Sequence, residues 1–380
     1  MTTENTTQPQ PEQIPTHAAK RYASVDVLRG FDMFWLVGGA GFFLGIGRVL
    51  GPNVYKFIDT QLDHSDWVGC TWYDTIFPLF LFIVGMSVVF SLNKFKEQKQ
   101  TGAAYKRMIR RFVLLFALGV IYYGGFAKPW PDVRVLGVLQ RIGLCYLAAG
   151  MLFYHFKPRT ILVVCISLLV FYWALFSFVP VPGTGKISFV RASNWDQWID
   201  QHYLPGWKHD GTWDDNGILS TLPCIANTLM GVFAALFIRN QSISDRKKVA
   251  WLILGGLALA GCGWLWGLQF PVVKRIVTSS YVVVTGGYSY ALLGLFYLVI
   301  DVWGWRWGTK PFLWIGANPI TIYVARKLID FNGIANRFVG GSIHNAVGDH
   351  WGYFLQMTVS LALSLLVVRF MYKKKIFLRV

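Results

Sequence analysis

Runs of about 20 apolar residues recur along this chain, and a run of that length is what a helix needs to cross a bilayer. TIFPLFLFIVGMSVVFSL at 75–92 is the plainest of them. Of the 380 residues, 54% are hydrophobic and only 14% are charged. A soluble domain of this size needs far more charge to cover its surface. The reading is an all-α polytopic membrane protein. Ten spans are expected, near 27–49, 74–93, 109–126, 137–155, 160–180, 218–238, 249–270, 279–301, 311–329 and 352–371. An even number puts both termini on one side.

The formal charge of +17 would suggest nucleic acid in a soluble protein. Here the cations cluster in short inter-span loops: KFKEQKQTGAAYKRMIRR, FKPR, IRNQSISDRKK, WGWRWGTK and the tail YKKKIFLR. All fall on the N-terminal side, which carries roughly twice the Lys/Arg of the other and is therefore assigned to the cytoplasm. Residues 1–20 are polar, rich in Pro, Gln and Thr, and lack the apolar core of a signal peptide, so a disordered cytoplasmic tail is expected ahead of a membrane domain at 21–380. The cysteines Cys70, Cys145, Cys165, Cys224 and Cys262 show neither metal-ligand spacing nor a disulfide framework, and no metal is expected.

With that topology, the stretch DHSDWVGCTWYD at 63–74 lies on the outer face, just before a span. A neutral imidazole there can take a proton from an attacking amine or hydroxyl, which makes His64 a candidate general base. A carboxylate, Asp66 or Asp74, would orient the ring; spacing does not choose between them. Asp74 also occupies an N-cap position, so capping alone is the competing account. The second large outer segment, 181–217, is too polar to span and is expected to cover the outer mouth as a cap.

Polar groups at membrane depth are site candidates by default. They are Arg29, with Asp26 as a structural partner in the competing reading, then Gln140, Arg141 and Asn318. Lys274 and Arg275 depart from the cytoplasmic bias of the other cations, and with Thr278, Ser279 and Ser280 at a helix start they would suit an anion. Trp67, Trp72, Trp195, Trp198, Trp207 and Trp213 would suit stacking on pyranose rings, although tryptophan also gathers at membrane interfaces.

Taken in order, SVDVLRG, the stretch from His64 through WVGCTWYDTIFPLFLFIVGMS, VLGVLQRIGLCY, NWDQWIDQHYLPG, GTWDDNGILSTLPCIANTLMG, KRIVTSSYVVVTGG and GANPITIYV resemble the transmembrane acyltransferase family of heparan-alpha-glucosaminide N-acetyltransferase and its bacterial relatives. The resemblance covers about 21–325. It implies an enzyme of the bacterial cytoplasmic (inner) membrane, a homodimer, that moves acetyl from acetyl-CoA to an amino sugar or glycan on the outer side. His64 matches the catalytic histidine, Asp74 the aspartate of T-x-x-D-x-x-F-P, and Arg141 the arginine of G-V-L-Q-R. His64 would act as general base or as acetyl acceptor. Arg29, Gln140, Arg141, Lys274, Arg275, Ser280 and Asn318 are the candidates for acetyl-CoA, and Asp66, Trp67, Trp72 and Asp214 for the acceptor. GTWDDNG departs from the pattern, with Asp215 and Asn216 where relatives commonly carry Pro and Glu. Ala40 stands where the lysosomal enzyme has Asn. A transporter of an anionic or glycosidic solute is the alternative, although no internal repeat is visible.

Overall fold

The computed structural model describes residues 22–377. Helix α1 (Ala23–Leu50) and the short α2 (Pro52–Leu62) precede α3 (Tyr73–Glu97), α4 (Thr101–Tyr122), α5 (Val138–His155) and α6 (Pro158–Phe178). The 181–217 segment, for which the sequence argues no regular structure, holds α7 (Trp195–Tyr203). Then follow α8 (Thr221–Arg239), α9 (Asp245–Trp266), α10 (Ser279–Val302), α11 (Thr309–Ala317) and α12 (Pro319–Leu328). Short α13 (Phe331–Val339) and α14 (Ser342–Val347) lead to α15 (Asp349–Lys373). Among the described residues there is no strand, only the isolated bridges Val68–Val273 and Arg134–Gly206. The expected 1–20 tail lies outside the described residues.

Seven of these helices, α1, α3, α6, α8, α9, α10 and α15, are long and apolar enough to span a bilayer. The other three expected spans are helical but fall short for readable reasons. Helix α4 opens with Lys106, Arg107, Arg110 and Arg111, and α5 carries Gln140 and Arg141 near its start. The 311–329 stretch is cut at Asn318, where φ is −135° and ψ 50°. The following Pro319 explains the cut, because proline pushes the residue before it out of the helical region.

In a bilayer every backbone N–H needs an internal partner. The first turn of α1 finds one far along the chain. Asp301, at the end of α10, accepts from Ala23 N and Ser24 N, both at 3.2 Å. Helix α1 is itself kinked at Gly38, where φ is +136°. Arg326 of α12 donates to the Val37 carbonyl that the kink exposes.

Helix α3 is the centre of the bundle, packed against α1, α4, α5, α8 and α10. Its contact with α8 needs two glycines. A Cβ on Gly85 would lie 1.8 Å from the Thr228 carbonyl oxygen, and one on Gly231 would lie 1.8 Å from that of Phe82. Small residues let the two backbones touch, which is how helices associate where lipid removes the hydrophobic drive.

A second apolar cluster sits at one end of the bundle. Tyr172, Phe176, Trp213, Leu219, Phe270, Val273 and Ile276 are buried there, with Trp67 and Phe189 packed against them. This cluster joins three loops: 63–72, the cap segment and 267–278. Gly69 N donates to Val272 O at 2.8 Å, and Trp67 Nε1 donates to Phe189 O at 2.9 Å.

The α3–α8 contact makes a direct prediction. Gly231→Val should lower the detergent melting temperature, since overpacking against a backbone costs about 1–3 kcal/mol or more. Gly255→Ala, on α9 with nothing within 4 Å of its Cβ, should leave it unchanged or raise it slightly. Equal melting temperatures for the two variants would refute close packing at Gly231.

Candidate active site

The loop 63–72 turns back so that its histidine meets the start of α3. Asp74 is wholly buried there, and a buried carboxylate must be paired or neutralised. Its Oδ2 accepts from Ser65 Oγ at 2.8 Å, Thr71 N at 3.1 Å and Ser65 N at 3.2 Å. Oδ1 lies 2.9 Å from His64 Nδ1 and 3.3 Å from Lys274 Nζ. Tyr281 fixes the backbone at the same residue by donating its hydroxyl to Asp74 O at 2.6 Å.

These contacts choose the orienting carboxylate that spacing leaves open. Asp66 is exposed on the loop and lines no cavity with His64, whereas Asp74 faces the ring. A carboxylate beside Nδ1 favours the tautomer with the proton on that nitrogen, leaving the lone pair on Nε2. The Lys274 ammonium lies 2.9 Å from Nε2 and 2.7 Å from Nδ1. Burial draws the Lys274 pKa below its ordinary value, and the Asp74 charge restores part of that loss.

His64 and Lys274 stand on the rim of a cavity of about 370 Å³. Its polar wall includes His209, Asp215, Asn216 and Arg275, and its apolar wall includes Met33, Leu36, Phe80, Ile142 and Ile320. Arg141 lines it from α5. This guanidinium is 1% exposed and donates to Ser220 Oγ at 2.6 Å and Gly217 O at 3.1 Å. Among the described residues no carboxylate comes within ion-pair distance of it.

Arg275 also lines the cavity, but Asp210 holds it at 3.1 and 3.2 Å. The remaining expected residues sit elsewhere. Arg29 donates to Ser87 Oγ at 3.0 Å and Gly316 O at 3.4 Å, while Asn318 donates to Ile376 O at 3.0 Å. Gln140 is buried against Gly119, and Ser280 bonds Pro271 O at 3.1 Å. Trp67 is tied into the apolar cluster beneath the cap segment, and Trp72 lines a separate groove with Leu257 and Leu292.

Asp214 does not reach the cavity. Arg134 grips it through Nε at 2.8 Å and Nη2 at 2.6 Å, and the same Nη2 donates to Asp215 at 2.8 Å. Arg134, His209 and Asp215 are the residues that sequence reasoning missed as site elements. Asp215 was readable only as a departure in GTWDDNG, and Arg134 had no signal beyond its charge.

The family model for heparan-alpha-glucosaminide N-acetyltransferase, catalytic, matches residues 21–262, well over half of the chain. The mouse protein named heparan-alpha-glucosaminide N-acetyltransferase is 27% identical over 96% of this chain and 61% of its own length. The human protein of that name is 26% identical over 95% of this chain and 60% of its own length. The chain thus spans about three fifths of these relatives. On the matched span, which contains His64, Asp74 and Arg141, the chain belongs to the heparan-alpha-glucosaminide N-acetyltransferase catalytic family.

Proposed function

We propose that the protein is a membrane acetyltransferase that moves acetyl from acetyl-CoA to an amino sugar of the glucosamine type. Its place would be the bacterial cytoplasmic membrane, with the acceptor on the outer side. The observation that carries the reading is the His64–Asp74 pair, 2.9 Å apart, at the mouth of a largely apolar cavity in a chain of this family.

Each part has a physical task. Asp74 holds Nδ1–H, so Nε2 can accept the proton that the acceptor amine loses as its nitrogen bonds to the thioester carbon. The carbon–sulfur bond then breaks, and the proton on Nε2 passes to the departing CoA sulfur. Lys274, 2.9 Å from Nε2, is the cation nearest that nitrogen and would steady negative charge on the thioester oxygen. The apolar wall would take the pantetheine arm and exclude water. Phosphates would be excluded from it by their desolvation cost, so the nucleotide would stay outside. Arg141 would hold a carbonyl oxygen of the arm.

Release of free CoA thiol by the detergent-purified protein, with and without glucosamine, tests the reading. Release should depend on the sugar, and His64→Ala should reduce it about 10²–10⁴-fold, the usual contribution of a general base. Retained turnover in His64→Ala would sink the assignment. Asp74→Asn should lose a comparable factor, because the amide no longer selects the Nδ1–H tautomer.

The pH dependence follows from Lys274. Its folded pKa lies below the ordinary lysine value, so the ammonium is lost as pH rises through that lowered value. Activity should therefore decline on the alkaline side before free lysine would titrate. Lys274→Arg, which stays charged, should push that decline to higher pH in a pH–rate profile. An unchanged alkaline limb in the arginine variant would assign it to another group.

A further inference from the structure

The cavity has two chemical halves, and the polar half contains an acidic group that the proposed mechanism does not use. Asp215 lies on its wall beside His209 and Asn216, all three supplied by the cap segment. Its Oδ1 is committed, accepting from Arg134 Nη2 at 2.8 Å and Asn216 Nδ2 at 3.0 Å. Among the described residues the N–H donors to this carboxylate are all on Oδ1, its other hydrogen-bonding neighbour is the Asp214 carboxyl, and the side chain is 33% exposed.

We propose that Asp215, with His209 and Asn216, forms the subsite that receives the acceptor sugar, and that Oδ2 accepts hydrogen bonds from the sugar's hydroxyl groups. The subsite deepens the acetyl-transfer reading and rests on it for the identity of the sugar.

Two features set Asp215 apart from an ordinary surface carboxylate. The first is its rigid support. Arg134 is almost fully buried, lies 4.5 Å from the centre of the Tyr123 ring, and is gripped by Asp214. Asp214 in turn accepts from the backbone N–H of Asn216 at 2.8 Å and of His209 at 3.1 Å. The three residues of the subsite are thus held by one buried ion pair, which reduces the ordering cost of binding.

The second feature is charge. Arg134 serves two neighbouring carboxylates: burial draws the Asp214 pKa above its ordinary value, so Asp215 is the one favoured to carry the negative charge. Burial works against the Asp215 charge, but the Arg134 guanidinium, a hydrogen bond with Asp214 and the nearby His209 and Arg141 together hold its carboxyl below the usual range. An ionised carboxylate only accepts hydrogen bonds. It repels the phosphates of acetyl-CoA and cannot bond its carbonyl oxygens, whereas an amino sugar offers several O–H and N–H donors. Arg141, one of three cations on the same cavity, is bonded to Gly217 O and Ser220 Oγ rather than to Asp215.

The test uses the full-length protein in detergent with glucosamine as the probe. Initial rates give KM for glucosamine and for acetyl-CoA, and equilibrium binding of glucosamine is measured with CoA present. Asp215→Asn should raise KM and Kd for glucosamine about tenfold, the loss expected for one charge-assisted hydrogen bond. KM for acetyl-CoA should change far less, and Asp215→Glu should recover part of the sugar affinity. Sugar affinity equal to wild type in Asp215→Asn would overturn the subsite. An equal loss of sugar and acetyl-CoA affinity would also overturn it, because Asp215 would then be only a structural partner of Arg134. If thiol release depends on His64 but glucosamine neither binds nor accelerates it, the subsite falls and the His64 chemistry stands. If glucosamine binds through Asp215 without His64-dependent release, the acetyl-transfer reading falls and the subsite stands.

Discussion

A buried carboxylate is the constraint around which one end of this bundle is built. Asp74 has no exposed surface, and an unpaired charge in such a place would cost several kcal/mol. Five groups answer it: two N–H groups, a serine hydroxyl, a histidine and a lysine. They come from the 63–72 loop and from Lys274, some 200 residues later. The loops are held at that distance by a backbone bond from Gly69 to Val272 and by the apolar cluster of Trp213, Phe270 and Ile276. The packing of these loops and the position of the histidine therefore depend on the same contacts.

Rigidity reaches this carboxylate from the bundle side as well. Asp74 stands in the first turn of α3, the most buried of the seven candidate spans. Backbone contact with α8 at Gly85 and Gly231 fixes the depth and rotation of α3. Tyr281 of α10 then reaches the Asp74 carbonyl.

Much of this was legible in the sequence because apolar length and motif order are local signals. The seven long helices follow from hydropathy, and the break at Asn318 was present in its neighbour Pro319. His64 and Asp74 were identifiable as a pair through the family motif. Spacing could not separate Asp74 from Asp66, because that choice depends on a loop reversal rather than on helical periodicity. Arg134 was invisible for a similar reason. Its partners Asp214 and Asp215 lie 80 and 81 residues away, and nothing near it in the chain announces a buried ion pair. The candidates that scattered, Arg29, Gln140 and Asn318, were chosen for polarity at membrane depth. Arg29 and Asn318 bond neighbouring chain atoms instead. Depth alone does not distinguish a cavity wall from a helix contact.

The proposed acetyl transfer would account for a cavity with both polar and apolar lining. Thioester transfer to an amine needs a neutral nucleophile, a base that can change charge, and little competing water. An apolar wall of Met33, Leu36, Phe80, Ile142 and Ile320 supplies the last condition. It would also weaken the base if it surrounded it, since burial disfavours a charged imidazolium. The structure resolves that conflict by position. The His64 side chain keeps 43% of its surface exposed while its partner Asp74 keeps none. The ring lies near water, and the carboxylate beside Nδ1 sits within the protein, where its charge is least screened. A histidine at the boundary between apolar span and polar loop is thus the arrangement that such chemistry requires.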